Sequence, residues 1–141
     1  MSNKKISIGL VFGGNSSEHQ ISIESAKTIF QALSNPNNQD KFITYPIYID
    51  KSGFWRDCKY SKSILIEDQR SAKNLENNID NLNYLSNLSK ESDKIDIWFP
   101  ALHGPNGEDG SIQGLFQLTG KPFIGSGILG SSLGMDKIAM K

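Results

Sequence analysis

Cysteine is nearly missing from this sequence. Cys58 is alone among 141 residues, which excludes an intrachain disulfide and fits a reducing compartment. It follows Trp55-Arg56-Asp57 in a polar stretch and reads as an incidental thiol, since a reactive cysteine needs an identifiable activating setting. A charge excess is missing too. Fifteen basic and fifteen acidic residues cancel, so the balance points neither to nucleic acid nor to an anionic membrane surface as a partner. No apolar run approaches the ~18 residues of a membrane span. Lys4-Lys5 ahead of Ile6 to Phe12 imitate a signal peptide, but the run stops at Gly13-Gly14, Glu18 follows, and there is no small-x-small cleavage site. These absences lead to the expectation of a soluble, cytoplasmic protein.

Common catalytic patterns are also lacking. One cysteine and two histidines, His19 and His103, 84 positions apart, match no zinc spacing, so no metal site is expected within the chain. No nucleophile elbow precedes a histidine and an acid. Gly13-Gly14-Asn15-Ser16-Ser17 is not G-x-G-x-x-G, and it lacks the spacing and lysine of a P-loop. There is no internal repeat.

What is present alternates between strands and helices. Ile6 to Phe12 reads as a buried strand. The glycine turn leads to Ser17-Glu18-His19-Gln20, a capping-box pattern with Ser17 as N-cap. The helix is expected to run to about Leu33, burying a face of Ile21, Ser25, Ala26, Ile29, Phe30 and Leu33, and to end at Ser34-Asn35-Pro36. Phe42 to Asp50 is the second strand, with Phe54-Trp55-Arg56 as a hairpin arm and Ile64-Leu65-Ile66 as a short strand. Leu75, Ile79, Leu82, Leu85 and Leu88 keep helical spacing through an asparagine-rich segment. Ile95 to Ala101 is the next strand and Ser111 to Leu118 a helix, closed by Thr119-Gly120 with Pro122 beyond. Pro122 to Gly125 is a last short strand, residues 126–134 a short helix, and Met135 to Lys141 the start of another. The pattern implies a doubly wound, mostly parallel α/β sheet, whose ligand crevice lies outside the carboxyl ends of its strands.

Two turns flank that crevice. In the first, Glu18 has two readings. It stabilises the start of its helix by roughly 0.3–1 kcal/mol, or it faces the crevice and holds a cationic group such as an ammonium. A carboxylate in the first turn disfavours a phosphate there. His19, about 100° round the helix, cannot share Glu18's task. The second turn, Leu102-His103-Gly104-Pro105-Asn106-Gly107-Glu108-Asp109-Gly110, carries three titratable side chains in nine residues. Asp109 reads as the N-cap of the following helix and Glu108 as a favourable neighbour of the helix dipole. His103 is either a hydrogen-bonded structural histidine or a ligand contact. Lys137 by itself reads as a solvated charge.

Taken together, the motifs resemble those of D-alanine–D-alanine ligases. Val11 to Ser22 is similar to their first motif and Leu102 to Gly114 to their second. Pro122 to Gly127, with Ser131-Ser132 and Met135-Asp136-Lys137, is similar to the segment entering their central domain. The stretch from about Phe54 to Ser92 carries little of the resemblance.

The resemblance implies a Rossmann-like pre-ATP-grasp domain over residues 1–126 and, over 127–141, the entry into an ATP-grasp domain that this chain does not contain. It implies an ATP-dependent ligase of peptidoglycan synthesis. ATP phosphorylates one D-alanine, and the amine of a second attacks the acyl phosphate. Mg²⁺ or Mn²⁺ serves the nucleotide phosphates from ligands outside this chain. Glu18 matches the glutamate that holds the first ammonium, His103 a histidine lining the same pocket, and Lys137 a lysine contacting ATP phosphates as the cofactor-binding residue. Glu108 is expected to be structural. Gln20 and Gln117 depart from acids found in many members, at positions not expected to carry chemistry. The resemblance also implies a homodimer, although the sequence marks no interface. The isolated chain is expected to be inactive, as the N-terminal part of a longer enzyme. The competing expectation is a non-catalytic small-molecule-binding α/β module complete at Lys141. A different ATP-grasp ligase is disfavoured by the Glu18-His19 pair and by the loop from His103 to Gly110.

Overall fold

The computed structural model describes residues 4–66, 88 and 92–141. Three strands form one parallel sheet in the order β2-β1-β3: β1 is Ile6–Gly13, β2 Phe42–Ile49 and β3 Ile97–Pro100. The register sets Leu10 opposite Pro46 on one side and Phe99 on the other. Pro46 is tolerated because β2 is the outer strand of this order, where a missing N–H breaks no ladder bond.

β1 is flanked on both sides, and its side chains point alternately to two cores. Leu10 and Phe12 enter one core with Ile23 and Ala26 of helix α1 (His19–Leu33) and Ile64 and Leu65 of helix α2 (Cys58–Ile66). Val11 enters the other with Ile47, Leu88, Trp98, and Ile112 and Phe116 of helix α3 (Ser111–Leu118). Helices thus cover both faces, the doubly wound arrangement expected from the sequence. Trp98 stacks on Phe116 with ring centroids 4.9 Å apart and planes within 8°, and its indole N–H donates to Thr119 Oγ1 at 2.9 Å. A last helix, α4 (Ile128–Met135), follows.

Several local expectations are corrected. Ile64-Leu65-Ile66 is the end of α2, not a strand; Asp57 accepts the Tyr60 N–H at 2.8 Å and starts that helix. Helix α1 begins at His19 with Glu18 at the N-cap position, and no side chain caps it, so the Ser17 capping box does not form. Gln20 donates to Glu24 instead. Ile21 is 54% exposed, and the buried face of α1 is built on His19, Ser22, Ile23 and Ala26. The N-cap of α3 is Gly110, one residue after Asp109. The arm at Trp55 pairs with Ile49 through a single antiparallel bridge, and Phe123 pairs with Trp98 through a single parallel one, so Pro122 to Gly125 is no full strand. Residues 137–140 form a turn, with Asp136 accepting the Ile138 and Ala139 N–H groups, and no helix starts there. The expected helix through Leu75, Ile79, Leu82 and Leu85 lies outside the described residues.

Candidate functional site

The winding of the sheet reverses between β1 and β3, and both strands deliver their turns at the same end. Two serines bind these turns together. Ser22, fully buried on α1, accepts the Gly13 N–H at 2.7 Å and donates to the Ala101 carbonyl at 2.5 Å. Ser16 donates to the His103 carbonyl at 3.0 Å and accepts the Glu18 N–H at 3.2 Å. The backbone at Glu18 and at His103 is thereby joined through one serine, from positions far apart in sequence.

The Glu18 side chain does not serve as a cap. Its carboxylate lies over Gly104, where a Cβ would stand 2.6 Å from Oε2. Half-buried, it has no hydrogen bond or ion pair with any described residue. A carboxylate held in that state is an acceptor available to a cation. His103, also half-buried, places Nε2 3.1 Å from the Ser25 hydroxyl. His19 is a structural histidine: it is buried, with Nδ1 2.6 Å from the Gly14 carbonyl and Nε2 2.9 Å from the Tyr48 hydroxyl.

The loop after His103 is held by its own acids. Glu108 accepts the Gly104 N–H at 2.8 Å, a structural contact of the kind expected for it. Asp109 accepts the Asn106 N–H at 2.8 Å and the Ser111 N–H at 3.0 Å. The first of these is the main reason its carboxyl lies below the ordinary aspartate value; burial opposes it, and the Ser111 N–H adds to it. Asp109 thus locks Asn106, whose φ is 67°, and serves α3 one residue before the cap.

A pocket of about 230 Å³ opens beside this loop, lined by Gly14, Asn15, Trp55, His103, Asn106 and Ile112 among others. His103 belongs to its wall and Glu18 does not. Lys137 is exposed in the turn after α4, and no hydrogen bond or ion pair joins it to Glu18 or His103. Ser16, Ser22 and Ser25 were not singled out from the sequence as site residues, since serines near a helix start carry no distinguishing signal. Among the described residues no group of three His, Cys, Asp or Glu side chains could hold a metal, and no helix is long and apolar enough to cross a membrane.

A doubly wound sheet with a carboxylate after its central strand β1, unpaired among the described residues, and a histidine after the neighbouring β3 defines an α/β domain whose candidate site lies at the carboxyl ends of its strands. The chain belongs to the family of D-alanine–D-alanine ligase N-terminal domains: the family model described as "D-ala D-ala ligase N-terminus" matches residues 7–126. It is 59% identical over 140 residues to a D-alanine--D-alanine ligase of Prochlorococcus marinus (strain NATL1A), covering 99% of this chain and 38% of that protein. It is 47% identical over 142 residues to the ligase of Synechococcus sp. (strain CC9311), covering all of this chain and 40% of the relative. Among solved structures it is similar to the VanG D-Ala:D-Ser ligase of Enterococcus faecalis (35% identity, TM-score 0.72, 96% of this chain and 40% of that one). It is also similar to the D-alanine-D-alanine ligase of Coxiella burnetii (29%, TM-score 0.73, 96% and 39%). The chain therefore spans about two-fifths of the length of the curated relatives it matches.

Proposed function

We propose that this chain is the N-terminal, first-substrate part of an ATP-dependent ligase that joins two D-alanine molecules for peptidoglycan synthesis in the cytoplasm. The observation that carries the proposal is the Glu18 carboxylate, unpaired among the described residues and packed over Gly104 next to His103. Glu18 binds the ammonium of the first D-alanine, which turns that substrate's own carboxylate toward the γ-phosphate of ATP. A carboxylate oxygen attacks the phosphorus, ADP leaves, and an acyl phosphate results. The amine of the second D-alanine then attacks the carbonyl carbon, and phosphate carries away the bonding pair. His103 acts by orientation and electrostatics, not as the general base.

Residues 1–126 form the substrate-binding domain in this reading, and 127–141 lead into a central ATP-grasp domain. Lys137 reaches ATP phosphates only in that longer setting. The described residues do not fit Mg²⁺ or Mn²⁺, and the metal's ligands belong to the remainder of the enzyme. That remainder also selects among D-alanine, D-serine and D-lactate as second substrate. The homodimer is part of the same proposal.

The test is D-alanine-dependent ADP release by the longer protein that carries this chain. Glu18→Gln removes a charge-assisted contact and is expected to lower kcat/KM for the first D-alanine by about 10–100-fold. The 141-residue chain alone is expected to form no dipeptide. Dipeptide from that chain, or a longer protein whose ADP release ignores D-alanine, would overturn the reading. Tight calorimetric binding of D-alanine by the isolated chain would favour the non-catalytic binding module instead.

A further inference from the structure

Both ring nitrogens of the buried His19 have partners, the Gly14 carbonyl 2.6 Å from Nδ1 and the Tyr48 hydroxyl 2.9 Å from Nε2. A carbonyl can only accept, so the ring proton sits on Nδ1 and is donated to Gly14. Nε2 of the neutral ring is then bare and accepts the Tyr48 O–H. The other tautomer would set two acceptors, Nδ1 and the Gly14 oxygen, face to face. A hydrogen-bonded chain thus runs from the end of β2, through the first residue of α1, to the glycine turn. The turn is held elsewhere too: the Gly14 N–H donates to the Ile49 carbonyl at 2.8 Å, and Ser22 accepts the Gly13 N–H. His19 and Ser22, three residues apart on one face of α1, therefore set the rotation of that helix against the turn. Glu18 is next to His19 and about 100° round the axis. With His19 turned into the core, the half-buried Glu18 carboxylate is turned toward Gly104.

We propose that His19, fixed by Tyr48, is the positioning residue of Glu18: its Nδ1–H holds the Gly14 carbonyl and so keeps the Glu18 carboxylate aimed at the ammonium of the ligand. His19 acts through Glu18 and needs no contact with that ligand. The inference deepens the ligase reading and rests on it only for the identity of the ligand, the first D-alanine. The bonds from Tyr48 to Gly14 are a property of the chain without turnover. An apolar side chain at position 19 would fill the core without desolvating a polar ring, but it would leave the Gly14 carbonyl unpaired and α1 held by Ser22 alone. Fold stability and use of the first substrate therefore respond differently to replacement of His19.

Three substitutions separate positioning from packing. His19→Leu keeps apolar bulk without a donor, whereas His19→Asn carries an N–H on Cγ, as the Nδ1–H tautomer does. Tyr48→Phe keeps the ring beside Phe12 and Tyr60 and removes the hydroxyl that fixes Nε2. In the longer ligase, His19→Leu is expected to lower kcat/KM for the first D-alanine by about five- to tenfold, the worth of one hydrogen bond. The KM of the second D-alanine stays unchanged, and His19→Asn recovers most of the loss although it is the less stable of the two in a denaturant titration. In the chain itself, ¹⁵N-histidine labelling gives two imidazole signal sets, assigned with a His103→Asn variant. At about pH 8.5, roughly two units above the ordinary imidazole pKa, His19 is expected as the Nδ1–H tautomer. Tyr48→Phe is expected to move its Nε2 signal and the Glu18 backbone amide with it. A bare Nδ1, a Glu18 amide unmoved by Tyr48→Phe, or first-substrate kcat/KM that follows stability, with Asn worse than Leu, would overturn the proposal. A longer protein with no ligation at all, but with the expected tautomer and a moved Glu18 amide, overturns the ligase reading and leaves the His19 assignment standing.

Discussion

The Glu18 carboxylate and Gly104 are in such close contact that one methyl group would separate them: a Cβ on Gly104 would stand 2.6 Å from Glu18 Oε2. Gly104 also has φ +74°, where an L side chain costs about 1–2 kcal/mol. Gly104→Ala is therefore expected to lower folding stability by about that amount in a denaturant titration. The end of a glutamate side chain is mobile, so the fold survives by moving the carboxylate away. That displacement is the functional effect: in the longer ligase the substitution should weaken use of the first D-alanine about as much as Glu18→Gln does. Unchanged kcat/KM in Gly104→Ala would show that the position of the Glu18 carboxylate is not what matters.

Ser22 and Ser25 sit on the same helix and give opposite stability predictions. The Ser22 hydroxyl is buried and uses both capacities, on Gly13 N–H and the Ala101 carbonyl. Ser22→Ala strands one buried donor and one buried acceptor, at a cost of about 2–4 kcal/mol. Ser25→Ala exposes its partner to water and is expected to cost under about 1 kcal/mol. Thermal unfolding of the two variants side by side checks the contrast, and equal losses would contradict it.

The Asp109 carboxylate links pH to stability. Its pKa is lowered in the folded chain, foremost by the Asn106 N–H. A folded value below the unfolded one contributes stability that is present above the unfolded value, about 3.9, and is lost as pH falls through the folded value. Asp109→Asn keeps one acceptor where the carboxylate has two in use, and is expected to cost about 1 kcal/mol at pH 7. The gap between variant and parent should narrow as pH falls through the lowered folded value and close once the carboxyl is protonated in both states. A gap independent of pH would mean that the bonds to Asn106 and Ser111 do not depend on the charge.

Much of this architecture was legible in the sequence because apolar periodicity and turn residues agreed. Ile6 to Phe12, the glycine turn and Thr119-Gly120 with Pro122 each carried redundant signals, and the strands and helices stand where those signals put them. The misreadings came from short apolar runs and from polar residues in buried positions. Ile64-Leu65-Ile66 is β-branched enough for a strand, yet Asp57 begins a helix seven residues earlier, with Ser61, Ile64 and Leu65 as its buried face. Ile21 fits the buried stripe by its apolar side chain, whereas the next residue, Ser22, takes the core because its hydroxyl satisfies two backbone groups. Glu18 and His103 stand out in the sequence by their charge and their place in glycine turns, and the structure brings their segments together through Ser16. The serines that hold them do not stand out as site residues, since a hydrogen bond spanning 78 or 87 positions leaves no trace in local spacing.

Gly9 and Trp98 offer the sharpest test of the core. They are paired residues of β1 and β3, and a Cβ on Gly9 would stand 2.6 Å from Trp98 Cε3 and 2.7 Å from Ile95 Cδ1. Ile95 meets it with the free end of a side chain and can turn aside. Trp98 cannot, because it is stacked on Phe116 and its N–H is bonded to Thr119. Gly9→Ala should therefore cost about 1–3 kcal/mol by overpacking, beyond any gain from lower chain entropy. Trp98→Phe alone loses buried ring area and the Thr119 bond, at a comparable cost. In the double variant the smaller ring leaves room for the new methyl, so the combined loss should fall short of the sum by at least about 1 kcal/mol. Denaturant titration of the four proteins gives that coupling directly. Strict additivity would mean that the strand, and not the indole, yields to the methyl group, and would place the rigidity of this core elsewhere than at Trp98.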